Sequence, residues 1–155
     1  MQPVFLALPS AVAAHYRAGG RDAYGLAPER RRVEGGGVPC RATLRLLPEG
    51  APYLIVAHRP FAGLNPYAET GPIFLSAEDQ PAAEPSPDLP PFLASAQYIV
   101  RGYSADERIV YGTGRVTPTP EIVDTSARLL ARPEVAFLHI RSATNNCYHC
   151  RVERG

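Results

Sequence analysis

The sequence predicts a single α+β domain with a mostly antiparallel mixed sheet and about two helices packed on it. The length of 155 residues is typical of one domain, so we treat residues 1–155 as a unit. Short segments with alternating apolar residues recur along the chain, which is the pattern of strands. Only two segments combine a capping residue with apolar residues at helical spacing.

Two pairs of strands are predicted in the first two thirds of the chain. Tyr53–Arg59 alternates, with Leu54, Val56 and His58 on one face, and ends before a proline. Gly71–Ala77 is a second strand that would pair with it. Gln97–Tyr103 and Arg108–Thr113 are expected to form a hairpin, because Ser104 to Glu107 fit a turn between them. We expect about six strands in one sheet.

The end of the chain predicts a strand, a tight turn and a returning strand. Phe137–Arg141 alternates, which places Phe137, His139 and Arg141 on one face. Thr144, Asn145 and Asn146 have turn chemistry, because asparagine tolerates the left-handed conformation. Cys147–Glu153 is the candidate last strand.

Two helices are predicted, and both are expected on the same face of the sheet. Ser10 is a suitable N-cap for a helix over Ala11–Arg17, which Gly19 and Gly20 would end. Thr119 is the predicted N-cap of a second helix, with Pro120 at its first position. A strand, this second helix and the strand near Val135 predict a right-handed crossover unit.

Composition excludes several classes of function. The net charge of +1 gives no bulk attraction to nucleic acid or to a membrane surface, so neither is an expected partner. No run approaches the ~18 apolar residues of a membrane helix, and the N-terminus lacks the basic region of a secretory signal. We expect a cytoplasmic protein with reduced cysteines. No dinucleotide-binding fingerprint or metalloprotease motif is present, so no cofactor is expected.

The sequence allows three possible roles for Cys147. Cys147 and Cys150 have the spacing of a zinc or redox pair, but residues three apart on a strand face opposite sides, so no metal site is predicted. Cys147 could instead be a catalytic nucleophile beside the Asn-Asn turn, with His139 as its base on the adjacent strand. The alternative is that Cys147 is an inert, buried small side chain.

Basic and aromatic residues near strand ends predict a pocket for a small anion. Arginine recognises carboxylate or phosphate groups through its planar fork of donors, and all 16 basic residues of the chain are arginine. An ordinary solvated sheet face with weak ion pairs is the alternative. The candidate ligand-binding residues are Arg41, Tyr67, Arg101, Arg141, Asn146 and Tyr148.

The segment from Glu78 to Pro91 is rich in proline and predicts a surface excursion. Together with the arginines it suggests a second class of function. In this class the protein is a non-catalytic interaction or regulatory domain that binds a partner protein.

Five short blocks resemble one known family in the same order along the chain. They are Val38–Arg41, Asn65–Tyr67, Gly71–Phe74, Cys147–Tyr148 and Arg151–Arg154. Together they resemble the bacterial family catalogued as domain of unknown function 1203, over essentially the whole chain. The resemblance implies a single-domain soluble bacterial protein, and it implies no catalytic role for any residue.

Overall fold

A computed structural model describes all residues, 1–155, and confirms the α+β class with mostly antiparallel strands. The largest sheet has five strands in the order β1-β10-β9-β7-β8, and each neighbouring pair is antiparallel. Its strands are β1 (Pro3–Leu6), β7 (Gln97–Tyr103), β8 (Arg115–Pro118), β9 (Phe137–Ser142) and β10 (Tyr148–Arg154).

The remaining strands form two smaller sheets, so the prediction of one mixed sheet was wrong. A three-stranded sheet has β5 (Pro52–His58) between β2 (Glu29–Arg32) and β6 (Gly71–Ser76). A two-stranded hairpin contains β3 (Val38–Cys40) and β4 (Arg45–Leu47). Alternation in a sequence identifies strands but does not show which strands pair in the same sheet. Long irregular connections separate the strands of these smaller sheets from β7.

The predicted hairpin partner of β7 was also wrong. Residues 108–113 make a single bridge to β7, between Tyr103 and Ile109, and β8 pairs with β7 instead. Thr113 explains the difference, because its hydroxyl accepts a hydrogen bond from the Gly102 backbone N–H and donates one to the Val110 carbonyl. The segment therefore folds over Gly102, where the lack of a side chain leaves room for Thr113.

The two helices, α1 (Ser10–Arg17) and α2 (Ile122–Leu130), cover different sheets, contrary to the prediction. α1 contacts β5, whereas α2 contacts all of the five-stranded sheet. Neither predicted N-cap makes a capping hydrogen bond. The Thr119 hydroxyl donates to the Ser95 carbonyl, and a 3-10 turn over Thr119–Glu121 precedes α2.

α2 connects two parallel strands, as the crossover prediction required. β8 and β9 lie on either side of β7, and both run antiparallel to it, so they run parallel to one another. α2 is the connection between them and packs on the sheet. No helix of the chain has the length and apolar character that a membrane crossing needs.

Two main apolar cores stabilise these sheets, and β10 contributes to both. One core lies between α2 and the five-stranded sheet and contains Cys150 and Val152. The other lies between α1 and the three-stranded sheet and contains Tyr148. A β-bulge between Tyr148 and Cys150 lets successive residues of β10 serve these two different surfaces.

Candidate functional site

A cleft of about 190 Å³ lies where the β9–β10 turn faces the connection from β5 to β6. The turn is the predicted one, because residues 143–145 form it and Asn146 follows with a φ of 58°. This left-handed conformation is one that asparagine tolerates. The side chains that line the cleft include those of His58, Glu69, Arg141, Asn146, Cys147 and Tyr148.

Glu69 organises the polar wall of the cleft. One carboxylate oxygen accepts a hydrogen bond from Arg101 at 2.8 Å. The other accepts from Arg141 at 3.3 Å and from the Asn146 side-chain amide at 3.0 Å. The structure therefore brings three of the predicted ligand-binding residues together around a carboxylate that was not among them. Its place just before the Gly-Pro that opens β6 was the only signal in the sequence.

Arg141 is nearly enclosed by groups of the protein itself. Its Nη1 also donates to the Asn146 carbonyl at 3.1 Å, and its Nη2 donates to Nδ1 of His139 at 3.0 Å. Arg141 is only 3% exposed, and its Nε is buried without a hydrogen-bond partner. An unsatisfied buried donor costs about 1–3 kcal/mol, so the Arg141 guanidinium is held in the wall of the cleft at some cost to stability.

His139 lies in an aromatic cage formed by Phe61, Tyr103, Phe137 and Tyr148. The ring centroids are 4.6–5.4 Å from that of His139. Because Arg141 has only donors, Nδ1 accepts its hydrogen bond and the proton of His139 lies on Nε2, which has no partner. Burial, followed by the charge of Arg141, holds the pKa of His139 well below its ordinary value. His139 is therefore a neutral core residue.

The sequence suggested that His139 lies beside Cys147, but the structure keeps these two side chains apart. Arg151 is the residue opposite His139 across the β9–β10 ladder, and Tyr148 is opposite Arg141. Cys147 precedes the first paired residue of β10 and faces the cleft, whereas His139 faces the cage. The eight-residue separation was compatible with proximity, but the register set by the turn carries the two side chains apart.

His58 is the imidazole that shares the cleft with Cys147. Its Nδ1 is hydrogen-bonded to the Tyr16 hydroxyl at 2.9 Å, so Nε2 is the nitrogen left for a ligand. Burial, with the charges of Arg41 and Arg59, lowers the pKa of His58 to about 4. The alternation of β5 had placed His58 on one face with Leu54 and Val56, and the structure buries Leu54 and Val56 in a core. This shared face was the available signal.

Arg41 lies directly behind the wall formed by Cys147 and Tyr148. It is 2% exposed, and it donates to the backbone carbonyls of Tyr148 and Pro39, each at 2.8 Å. None of the seven ion pairs includes Arg41. Burial lowers its pKa to about 10, and the group whose negative charge would most raise it again is Cys147. Arg41 is thus charged at neutral pH, with no carboxylate to balance it.

The remaining predicted residue, Tyr67, lies outside the cleft. Its hydroxyl is 3.1 Å from that of Tyr111, and the Arg108 guanidinium stacks over its ring. Asn65 explains this placement, because its side-chain oxygen accepts the Tyr67 backbone N–H and its amide donates to the Glu107 carbonyl. These contacts tie the loop to the turn after β7.

The three cysteines lie in three different environments. Cys40 and Cys150 are 0% and 1% exposed and belong to different cores, and burial raises the pKa of the Cys150 thiol. Cys147 is half-buried, and its thiol lies 3.8 Å from the Asn145 carbonyl. Cys147 and Cys150 therefore face different parts of the molecule. No cluster of three or more His, Cys, Asp or Glu side chains is arranged to hold a metal ion.

Comparisons with known proteins give one match. No curated protein and no solved structure matches the chain. Residues 37–154 match the family model described as a protein of unknown function, DUF1203, and this range contains every residue assigned above to the cleft wall. Because the match covers most of the 155 residues, the chain belongs to the DUF1203 family.

Proposed function

We propose that the protein binds a small anionic molecule in the cleft beside Asn146 and Cys147. The observation that carries this proposal is the buried guanidinium of Arg41, which has only carbonyl partners. A buried charge is costly unless it is compensated, so an anion in the adjacent cleft would supply the missing counter-charge.

The charges around the cleft support the same conclusion. Arg101 and Arg141 share a single carboxylate, that of Glu69, and the buried guanidinium of Arg41 has no carboxylate partner. Glu69 neutralises one positive charge, and the excess remains positive. The field of a buried charge is screened less by salt than that of a surface charge.

The size of the cleft limits the ligand. A volume of about 190 Å³ is roughly six times the share of one water molecule in the liquid. A phosphate or a short carboxylate fits such a space, and a nucleotide does not. The ligand would contact the side chains of Arg141 and Cys147, which line the cleft. Cys40 and Cys150 are buried elsewhere in the fold.

Thermal unfolding with a panel of anions tests the proposal. Phosphate, sulfate and short mono- and dicarboxylates are compared with chloride at equal ionic strength. A ligand at 100 times its Kd stabilises the native state by about 2.7 kcal/mol, which raises the Tm by roughly 5–10 °C in a protein of this size.

Two matched variants identify the charge responsible. Arg41→Met keeps much of the side-chain volume and removes an unpaired buried charge, so we expect a folded protein that loses the anion-dependent shift. Arg30→Met removes an exposed arginine of β2 and is expected to keep the shift. A shift that survives in Arg41→Met would contradict the proposal, as would the absence of a shift with every anion.

An interaction role is the second candidate, because a larger cavity of about 640 Å³ lies along the proline-rich segment. The segment is held to the fold by backbone hydrogen bonds, from Ala83 to Ala42 and between Ser86 and Phe5. Pro81, Pro90 and Leu89 form part of the groove wall. The absence of any anion-dependent shift would favour this second role.

A further inference from the structure

We infer that Cys147 and His58 form a thiol–imidazole pair that attacks an electrophilic carbon in a small carboxylate ligand bound in the cleft. This inference rests on the anion site proposed above and names the chemistry of its ligand. Nothing in the family description assigns a role to either residue. The pair also replaces the combination of Cys147 with His139 that the sequence suggested.

The first argument is access. Cys147 and His58 line the same cleft, whereas His139 is enclosed by four aromatic rings. Cys147 is half-buried, and the other two thiols are sealed in the cores. A nucleophile must reach its substrate, so Cys147 is the one thiol of this chain that can act from the native state.

The second argument is the orientation of the imidazole. A catalytic base is normally held by a third group that fixes its ring, and the Tyr16 hydroxyl does this at Nδ1 of His58. Packing supports the same geometry, since the His58 ring lies 6.0 Å from the Tyr16 ring and 6.1 Å from the Tyr148 ring. Burial lowers the pKa of His58 to about 4, so the ring is neutral at pH 7. Nε2 accepts a proton in the tautomer whose Nδ1–H donates to the Tyr16 hydroxyl. Loss of the thiol proton would place a negative charge in the same cleft, and that charge would favour the protonated ring.

The third argument is the charge that the cleft presents to a ligand. Arg141 lines the cleft, is almost fully buried, and has an Nε–H without an acceptor. Arg41 lies behind Cys147, and negative charge on that thiol would raise the pKa of Arg41 more than charge on any other neighbouring group. A carboxylate held by these groups would place a neighbouring carbon near the sulfur. A nucleophile beside an anion site therefore indicates a small carboxylate that carries an electrophilic carbon.

The chemical step balances without any added reagent. The sulfur electron pair of Cys147 forms a bond to the electrophilic carbon, and the leaving group departs with the electron pair of the broken bond. The thiol proton passes to Nε2 of His58 and from there to the leaving group or to water. No change of oxidation state is needed.

Alkylation of the native protein tests each part separately. Iodoacetate and iodoacetamide deliver the same electrophilic carbon with and without a carboxylate, and peptide mass spectrometry locates the product. Each rate is divided by that of N-acetylcysteine at the same pH. We expect Cys147 to react in the native state, with the ratio of iodoacetate to iodoacetamide raised about tenfold or more over the free thiol. Cys40 and Cys150 should react only after denaturation.

Variants at two histidines test the base. His58→Gln is expected to lower the rate of Cys147 alkylation at pH 7 by about tenfold or more and to change its pH profile. His15→Gln is the matched control, because this histidine is exposed on α1 and bonds only the Arg21 carbonyl. Tyr16→Phe keeps the ring packing and releases Nδ1, so it should lower the rate by less than His58→Gln does.

Each contrary result has its own meaning. If Cys147 reacts only after denaturation, the thiol–imidazole pair is overturned. The anion-dependent Tm shift would still test the anion site separately. An unchanged rate in both His58→Gln and Tyr16→Phe would remove His58 from the proposal. Equal normalised rates for the two reagents would overturn the carboxylate ligand and would also count against the anion site.

Discussion

At the residue scale, the carboxylate of Glu69 accepts hydrogen bonds from Arg101, Arg141 and Asn146. The Arg141 side chain is 4% exposed, so loss of the carboxylate charge would leave a buried guanidinium without its counter-charge. We expect Glu69→Gln to lower the free energy of unfolding by about 1–3 kcal/mol, measured by urea denaturation at pH 7.

The matched control for this prediction is Glu29→Gln. Glu29 pairs with Arg31 on β2, where both side chains are more than half exposed. Exposed pairs of this kind contribute little, so the control should unfold at nearly the same urea concentration as the natural protein. Equal effects of the two substitutions would mean that Glu69 has no special place in the wall of the cleft.

Three histidines make stability depend on pH. Burial holds the pKa of His58 and that of His149 at about 4 and the pKa of His139 well below 6.5. Above pH 6.5 these rings are neutral in both the folded and the unfolded state. As the pH falls below 6.5, only the unfolded chain binds protons, so stability should fall until about pH 4.

The size of this loss follows from the same values. His58 and His149 each contribute about 1.5 kcal/mol of the loss between pH 6.5 and pH 5, and His139 acts in the same direction. Urea unfolding at pH 7.5, 6.5 and 5 measures it. His149→Gln should flatten the dependence by about that amount. An equal slope in His149→Gln would show that this ring titrates normally in the native state.

At the scale of elements, Arg154 of β10 stabilises the C-terminal end of α2. Its guanidinium donates to the carbonyls of Leu130, Arg132 and Val135. Leu130 is the last residue of α2, so its carbonyl has no partner within the helix, and a cation favours the negative end of the helix dipole. Arg132 and Val135 lie in the turn that follows α2. We expect Arg154→Ala to lower the free energy of unfolding by about 1–2 kcal/mol. Faster amide exchange in the last turn of α2 should accompany this change.

Arg115→Ala is the control for Arg154, because Arg115 is an exposed residue of the edge strand β8. It removes the same charge without touching a helix end. If both variants lost equal stability, the effect would belong to net charge and not to the contact with α2.

Sequence patterns predicted those elements whose signal is local. The alternation of Leu54, Val56 and His58 grouped these residues on one face of β5, and Leu54 and Val56 do pack in one core. Asn146 occupies the left-handed position that its chemistry allows. The predictions of an N-cap at Thr119 and of a hairpin strand at Arg108–Thr113 were wrong because hydrogen bonds to distant residues replaced the local ones. The Thr119 hydroxyl bonds Ser95, and the Thr113 hydroxyl bonds Gly102.

The cleft was predictable only in part for the same reason. Arg141, Asn146 and Cys147 follow one another closely in sequence, so a shared location was foreseeable. His58 and Glu69 belong to β5 and the connection that follows it, and they also line the cleft. No local sequence pattern predicts that these residues lie close to the β9–β10 turn. His139 misled because alternation gives its face but not the register that places it opposite Arg151.

At the scale of the whole molecule, β9 is the best-protected element. It pairs with β10 on one side and β7 on the other, and five of its six residues are buried. β2 is an edge strand, and all four of its residues are exposed. We expect the amides of β9 to exchange more slowly than those of β2 by a factor of about 100 or more, measured by hydrogen exchange with mass spectrometry.

The same measurement tests how the two cores are joined. Tyr148 packs in one core, whereas Cys150 and Val152 pack in the other, so β10 should be lost only when both cores open. Exchange of β10 at the rate of β9 is the expected result. Exchange of β10 at the rate of β2 would show that the two cores unfold separately.

The carbonyl-bound guanidinium of Arg41 gives the cleft a fixed polarity. With a pKa near 10 it keeps its proton across the physiological range, and His58 beside it stays neutral there. Between about pH 6 and pH 9 neither Arg41 nor His58 changes its charge. A change of affinity in that interval would come from the bound molecule or from the Cys147 thiol that lines the cleft, so a pH titration of binding to Cys147→Ser would identify the acidic group of the bound molecule.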